Sequence, residues 1–209
     1  MTKMKWEEKD FDVFAIDGLE ARMEALISTV RPKLEALGVH YAHYFSSVLG
    51  EEFHPHVAKH ARRKVNPPKD TWVAWSTSNR GYKALPHFQI GLFGTKVFVI
   101  LALVYELPGK EMMADRMLAD TELFDGLPED FIVSGDHMSP ESSPVHADGG
   151  DEVISLLERL KTVKKAEFLV GRHIAREEAV NLSEDEFLAC AEDTFNRLLP
   201  VYRTLTGRK

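Results

Sequence analysis

The chain has 209 residues, 44% hydrophobic and 28% charged, and 26 Lys+Arg against 33 Asp+Glu give a net charge of −7. The single cysteine, Cys190, excludes a disulfide scaffold and any Cys-rich zinc module, and fits a reducing compartment. The longest apolar run, Val97 to Tyr105, is about half a membrane span, and the first ten residues lack an apolar stretch, so neither a spanning helix nor a secretory leader is expected.

The first fifty residues read as helix. Asp17-Gly18-Leu19-Glu20 has capping-box form, and Leu19, Met23, Leu26, Ile27 and Val30 follow the spacing of one buried face. Pro32 must interrupt or restart the helix, because it has no N–H and restricts the residue before it. A second helix is expected from Lys33 to about Leu49, closed by Gly50. From residue 53 the period changes to that of strands. Thr71–Ser76 and His87–Phe93 alternate, with Phe88, Ile90 and Leu92 on one face and His87, Gln89 and Gly91 on the other. Gly94-Thr95 reads as a hairpin turn into the apolar run Val97 to Tyr105, a central strand covered on both faces.

Beyond Pro108-Gly109 the expected elements are a helix from about Lys110 to Leu123, a strand over 130–134, a helix over 153–160 and a strand over 166–170. Ser139 to Gly150 reads as a mobile surface loop. Ser183-Glu184-Asp185-Glu186 caps a closing helix with the stripe Phe187, Ala191, Phe195, Leu198, Leu199 and Tyr202, in which Pro200 predicts a kink. The expected fold is α+β in one domain, residues 1–209: a mainly antiparallel sheet of about five or six strands with N-terminal and C-terminal helices packed on it.

Charge is segregated along this order. Residues 53–104 carry eight basic side chains (Lys59, Arg62, Arg63, Lys64, Lys69, Arg80, Lys83 and Lys96) against one acid, Asp70, which makes the segment +7 and the remainder −14. Such a block either neutralises the acidic remainder or presents a basic patch to an anionic partner. Guanidinium forks, Asn66 and the aromatic planes of Trp72 and Tyr82 are what a phosphate-bearing ligand requires. The candidate ligand-binding residues are therefore His56, Lys59, His60, Arg62, Arg63, Asn66, Trp72, Arg80, Tyr82, Lys83 and Gln89. His87, Asp136 and His137 are the candidate catalytic acid–base groups. Neither the dinucleotide fingerprint nor the P-loop occurs, and no ordered metal motif is present, so no metal and no cofactor is expected. Cys190, beside an apolar helical stripe, reads as packing, and Ser134 lacks the nucleophile-elbow context.

The runs Pro55-His56-Val57-Ala58-Lys59-His60-Ala61-Arg62-Arg63, Val65-Asn66-Pro67-Pro68, Asp70-Thr71-Trp72-Val73-Ala74, Arg80-Gly81-Tyr82-Lys83, Pro86-His87-Phe88-Gln89-Ile90-Gly91-Leu92 and Ser134-Gly135-Asp136-His137-Met138 carry a resemblance. With them the chain resembles the YktB-like family of Gram-positive bacteria, a domain of unknown function. The resemblance extends from about Asp10 to Tyr202 and implies an α+β fold peculiar to the group and a cytoplasmic setting. It implies no activity. The sequence departs from the family pattern at His54, Lys64, Lys69, Arg172, His173 and Ala175, which weakens His54 as a ligand.

The leading functional expectation is a binding or regulatory protein for an anionic partner, a phosphate-bearing small molecule or a nucleic acid. The alternatives are a small-molecule enzyme with His/Asp acid–base groups beside the basic patch, or an interaction module with no pocket. The sequence does not specify the oligomeric state.

Overall fold

The computed structural model describes residues 3–208. Seven strands form one antiparallel sheet: β1 (His54–Val57), β2 (Asp70–Ser76), β3 (His87–Phe93), β4 (Lys96–Leu103), β5 (Phe131–Ser134), β6 (Ser143–Pro144) and β7 (Phe168–Ala175). Their spatial order is β1-β2-β3-β4-β7-β5-β6. Eight α-helices accompany them among the described residues: α1 (Glu8–Asp12), α2 (Leu19–Ala25), α3 (Arg31–Leu49), α4 (Lys110–Leu118), α5 (Glu122–Asp125), α6 (Asp151–Thr162), α7 (Arg176–Ala179) and α8 (Glu184–Thr206).

The α+β expectation holds, with slightly more strands than the five or six read from sequence. The surplus comes from the shortest element. Strand β6 has only two residues, within the stretch read as a mobile loop, and no period can register in two residues. That stretch is tied down instead. Val145 is buried and its N–H donates to the Phe131 carbonyl at 2.8 Å, while His146 Nε2 lies 2.7 Å from the Leu127 carbonyl.

Contacts divide the chain into two compact units. The first comprises residues 1–82, 89–98 and 174–191, and the second residues 83–88, 99–173 and 192–209. In the first, α3 lies on β1 and β2. Trp75 of β2 is fully buried, stands 5.7 Å from the rings of Tyr41 and Phe45, and donates its indole N–H to the Gly38 carbonyl at 2.9 Å. In the second, Phe88 packs against Phe195 and Tyr202 of α8 at 5.6 and 5.0 Å.

Pro32 restarts the helix without breaking it. Residues 26–30 form a π-helical turn between α2 and α3, and Pro32 sits in the first turn of α3, where a missing N–H is tolerated. The widened turn relieves the clash a proline ring would make with the preceding carbonyls. The capping box expected at Asp17 does not form: Gly18 caps α2 at φ +84°, with no side-chain bond. The box at Ser183 does form, with Ser183 N–H donating to Glu186 Oε2 at 2.8 Å and Glu186 N–H to Ser183 Oγ at 3.2 Å.

Strand β3 alternates as expected, but both of its faces are covered, since all seven of its residues are buried. The Gly91 face is closed as well as the Phe88 face. A Cβ on Gly91 would lie 2.3 Å from Phe98 Cζ, 2.5 Å from the Thr71 carbonyl oxygen and 2.6 Å from Trp72 Cβ, so glycine is what leaves room for these neighbours.

Candidate functional site

Strand pairing assembles the site in the first unit. His56 pairs with Ala74 across β1 and β2, and paired residues share a face. Trp72 shares that face by the period of two, while Val73 and Trp75 point to α3. His56, Trp72 and Ala74 therefore lie on the face turned away from the helix. The loop after β2 returns Tyr82 to it. Trp72 Nε1–H donates to the Tyr82 hydroxyl at 2.9 Å, and the Tyr82 ring stands 5.5 Å from that of His56. His56 Nε2 lies 2.7 Å from the Ser78 carbonyl, which can only accept, so that nitrogen carries the proton.

His60 joins from the loop between β1 and β2. Its ring meets Trp72 edge-on at 5.6 Å, and its Nε2 is 3.2 Å from Thr71 Oγ1. Its backbone is left-handed, φ +52°, at the start of a turn closed by the Arg63 N–H to the His60 carbonyl at 3.0 Å. A non-glycine residue held there carries strain of order 1–3 kcal/mol, which the imidazole contacts offset. The other end of the loop is pinned from α2, where buried Arg22 donates Nη1–H to the Pro68 carbonyl at 2.8 Å.

Four of the sequence candidates, His56, His60, Trp72 and Tyr82, thus form one connected cluster. Gln89 lies on the Gly91 face of β3 and is buried. Lys59, Arg62, Asn66 and Arg80 are exposed on the flanking loops, and half-buried Arg63 donates to the Asn66 carbonyl at 3.4 Å. Lys83 is drawn off: its ammonium pairs with Glu106 at 2.9 Å in the second unit.

Burial, then the charges of Arg63 and Arg31, push the His60 imidazole down to about 4. Burial also lowers His56, against the opposing bond to Ser78, and His54 lowers it further. His60 is therefore neutral in the folded chain near neutrality and available to a ring-bearing ligand as an uncharged surface. A folded-state value below the unfolded one means that the unfolded chain binds more protons between pH 6.5 and about 4. Stability is then expected to fall as pH drops through that window. His60→Gln should flatten the slope, as read from urea midpoints at several pH values.

The second unit brings Asp136 and His137 beside Glu167, which the sequence reading missed. One ligand atom from each of the three lies within 4.8 Å of the others. Glu167 is 4% exposed and accepts from Tyr105 N–H at 3.1 Å, His137 N–H at 2.9 Å and His137 Nδ1 at 2.7 Å. Burial raises the Glu167 carboxyl, but the side-chain and backbone bonds from His137 outweigh it and leave it below the usual range. His87, the third expected acid–base group, is fully buried in β3, with Nδ1 2.8 Å from the Leu85 carbonyl.

Residues 6–202 match the family described as Domain of unknown function (DUF1054). The chain belongs to this family. It is similar to a UPF0637 protein of Lysinibacillus sphaericus, 57% identical over 100% of this chain and 99% of the other. UPF0637 proteins of Bacillus cytotoxicus and Macrococcus caseolyticus are each 50% identical over 97% of this chain, and over 98% and 100% of their own lengths. A solved structure, a conserved hypothetical protein from Pyrococcus furiosus, is similar over 83% of this chain and 92% of its own at 14% identity and a TM-score of 0.36. The Gram-positive resemblance read from the sequence is thus borne out, and the family description assigns no activity. Among the described residues, no helix is long and apolar enough to cross a membrane.

Proposed function

We propose that the chain binds a phosphate-bearing ligand with a planar base, a nucleotide either free or within a nucleic acid, on the face that carries His56, Trp72 and Tyr82. The observation behind this reading is the coincidence of two features. A connected cluster of two imidazoles, an indole and a phenol gives stacking surfaces. The flanking loops expose Lys59, Arg62 and Arg80, with Arg63 half-buried between them. Neutral rings at the centre and cations at the rim match a base and its phosphates. A single cysteine supports a reducing, cytoplasmic setting for such a ligand.

The test is a binding titration of the purified chain with ATP, a sugar phosphate and a labelled RNA oligonucleotide at low and moderate salt. Affinity should fall with log salt by a slope that counts phosphate contacts. Arg62→Ala with Arg80→Ala, both on exposed loops, should weaken binding about tenfold or more without changing stability. Trp72→Ala should remove a stacking contribution of about 1–3 kcal/mol. No binding of any of the three at low salt would overturn the reading.

A further inference from the structure

We propose that Asp136, His137 and Glu167 bind one divalent transition-metal ion, of the zinc or manganese kind, independently of the ligand face in the first unit. The three donors converge from two places in the chain. Asp136 and His137 lie in the turn after β5, and Glu167 immediately precedes β7, the strand antiparallel to β5. The turn after β5 and the start of β7 therefore meet at one end of the sheet, where Tyr105, just beyond β4, adds its N–H.

A buried glutamate on a histidine could serve only as a tie between two turns. Asp136 makes it more than that. A second carboxylate beside the pair leaves an excess of negative charge whether or not the imidazole is protonated. Lys110, a buried cation that the Glu167 charge favours, gives its ammonium to the Lys164 and Ala166 carbonyls at 2.7 and 2.6 Å. The imidazole can balance one of the two carboxylates, and a divalent ion balances both.

The donor set selects the ion. One imidazole nitrogen with two carboxylate oxygens suits zinc, manganese or iron, whereas calcium and magnesium prefer oxygen alone. The three ligand atoms lie within 4.8 Å of one another, so the widest pair must close by up to about 1.5 Å while the tightest opens. Metal–ligand bonds of about 2.0–2.2 Å at a tetrahedral angle place ligand atoms about 3.3 Å apart. His137 Nδ1 and Glu167 Oε2 are joined by a hydrogen bond through the imidazole proton at 2.7 Å. Replacing that proton with a metal ion opens the pair by about half an ångström.

Two properties of the surroundings fit an accessible ion. Glu167 is held ready by the backbone N–H groups of Tyr105 and His137, while Asp136 is exposed and gives the entry path. Three protein donors also leave a coordination position for water, the arrangement of a reactive metal rather than a structural one. Tyr105 (47%) and Met138 (46%), the residue after His137, are half-exposed, with the Tyr105 ring 6.5 Å from that of His137.

The experiment is calorimetric titration of chelator-stripped full-length protein with Zn2+ and Mn2+, with Mg2+ as control. One ion per chain is expected, unaffected by millimolar Mg2+. Asp136→Asn and His137→Gln should each weaken it at least tenfold. Asp136 is exposed, so its variant should fold as the parent does, and circular dichroism checks this. Absence of one-to-one binding would overturn the proposal. So would Zn2+ binding that Asp136→Asn leaves unchanged, which would place the ion on other surface histidines.

Discussion

Gly171→Ala is expected to destabilise the protein by about 3–5 kcal/mol, read as a fall in the urea midpoint at constant m-value. Gly171 lies in β7, opposite Ile132 of β5. Its φ is +156°, and a Cβ there would stand 2.2 Å from the Val99 carbonyl oxygen and 2.7 Å from Ile100 Cα. Both atoms are backbone of β4, whose residues from Val97 onward are buried. A flexible side chain can swing aside, but a central strand cannot do so without loss of ladder bonds. Overpacking typically costs 1–3 kcal/mol and a residue forced into a sparsely populated backbone region a similar amount, and here both apply. If Gly171→Ala unfolded at the parent's urea concentration, β7 would have to lie farther from β4 than the structure places it.

Elements with many periods and clear punctuation were legible from the residues alone. The hairpin of β3 and β4 has an alternating strand, a two-residue Gly-Thr turn and a continuous apolar run, and both strands and turn fall where expected. Helix α8 begins at the Ser183 box for the same reason. Local signals with competitors misled. Asp17 has the residue type and spacing of a cap, but Gly18, which accepts positive φ without strain, takes that place. A cap nobody would choose from sequence forms instead at the start of α1, where Glu7 N–H donates to Asp10 Oδ2 at 2.8 Å.

The candidate ligand face was legible because it is local: two paired strands and their loops carry His56, His60, Trp72 and Tyr82 within 27 residues of chain. Glu167 was not legible. Its partner His137 is 30 positions away, with β6 and α6 between, and no fixed spacing marks a pair assembled by strand order. Lys83 shows the converse. It belongs to the basic block in sequence, but its ammonium meets Glu106, an acid just outside that block. A charge count by position therefore overstates the patch by the pairs made across its boundary.

Lys33→Ala should lower stability by about 3–5 kcal/mol at pH 7.5, the usual loss when one partner of a buried ion pair is removed. Lys33 of α3 has a side chain only 8% exposed, and its ammonium holds Asp10 Oδ2 at 2.6 Å, Glu7 Oε2 at 2.9 Å and the Lys5 carbonyl at 2.8 Å. The Asp10 side chain is completely buried, and its Oδ1 has no hydrogen-bond partner among the described residues. Burial already raises the Asp10 carboxyl above its ordinary value, despite the bonds from Lys33 and the Glu7 N–H. Half-exposed Glu7 goes the other way, to about 2, chiefly through its bond to Lys33. Loss of the ammonium leaves a buried carboxylate that must stay charged without its cation or take up a proton. A raised folded-state value means that the folded chain binds the extra proton as pH falls, so acid should relieve the variant. The deficit is expected to shrink from pH 7.5 towards pH 5. Asp10→Asn with Lys33→Ala removes both ions together, so it should cost less than the two single changes added. Simple additivity in that cycle would mean that Lys33 acts through packing of its aliphatic stem, and that α1 is held to α3 by apolar contact instead of charge.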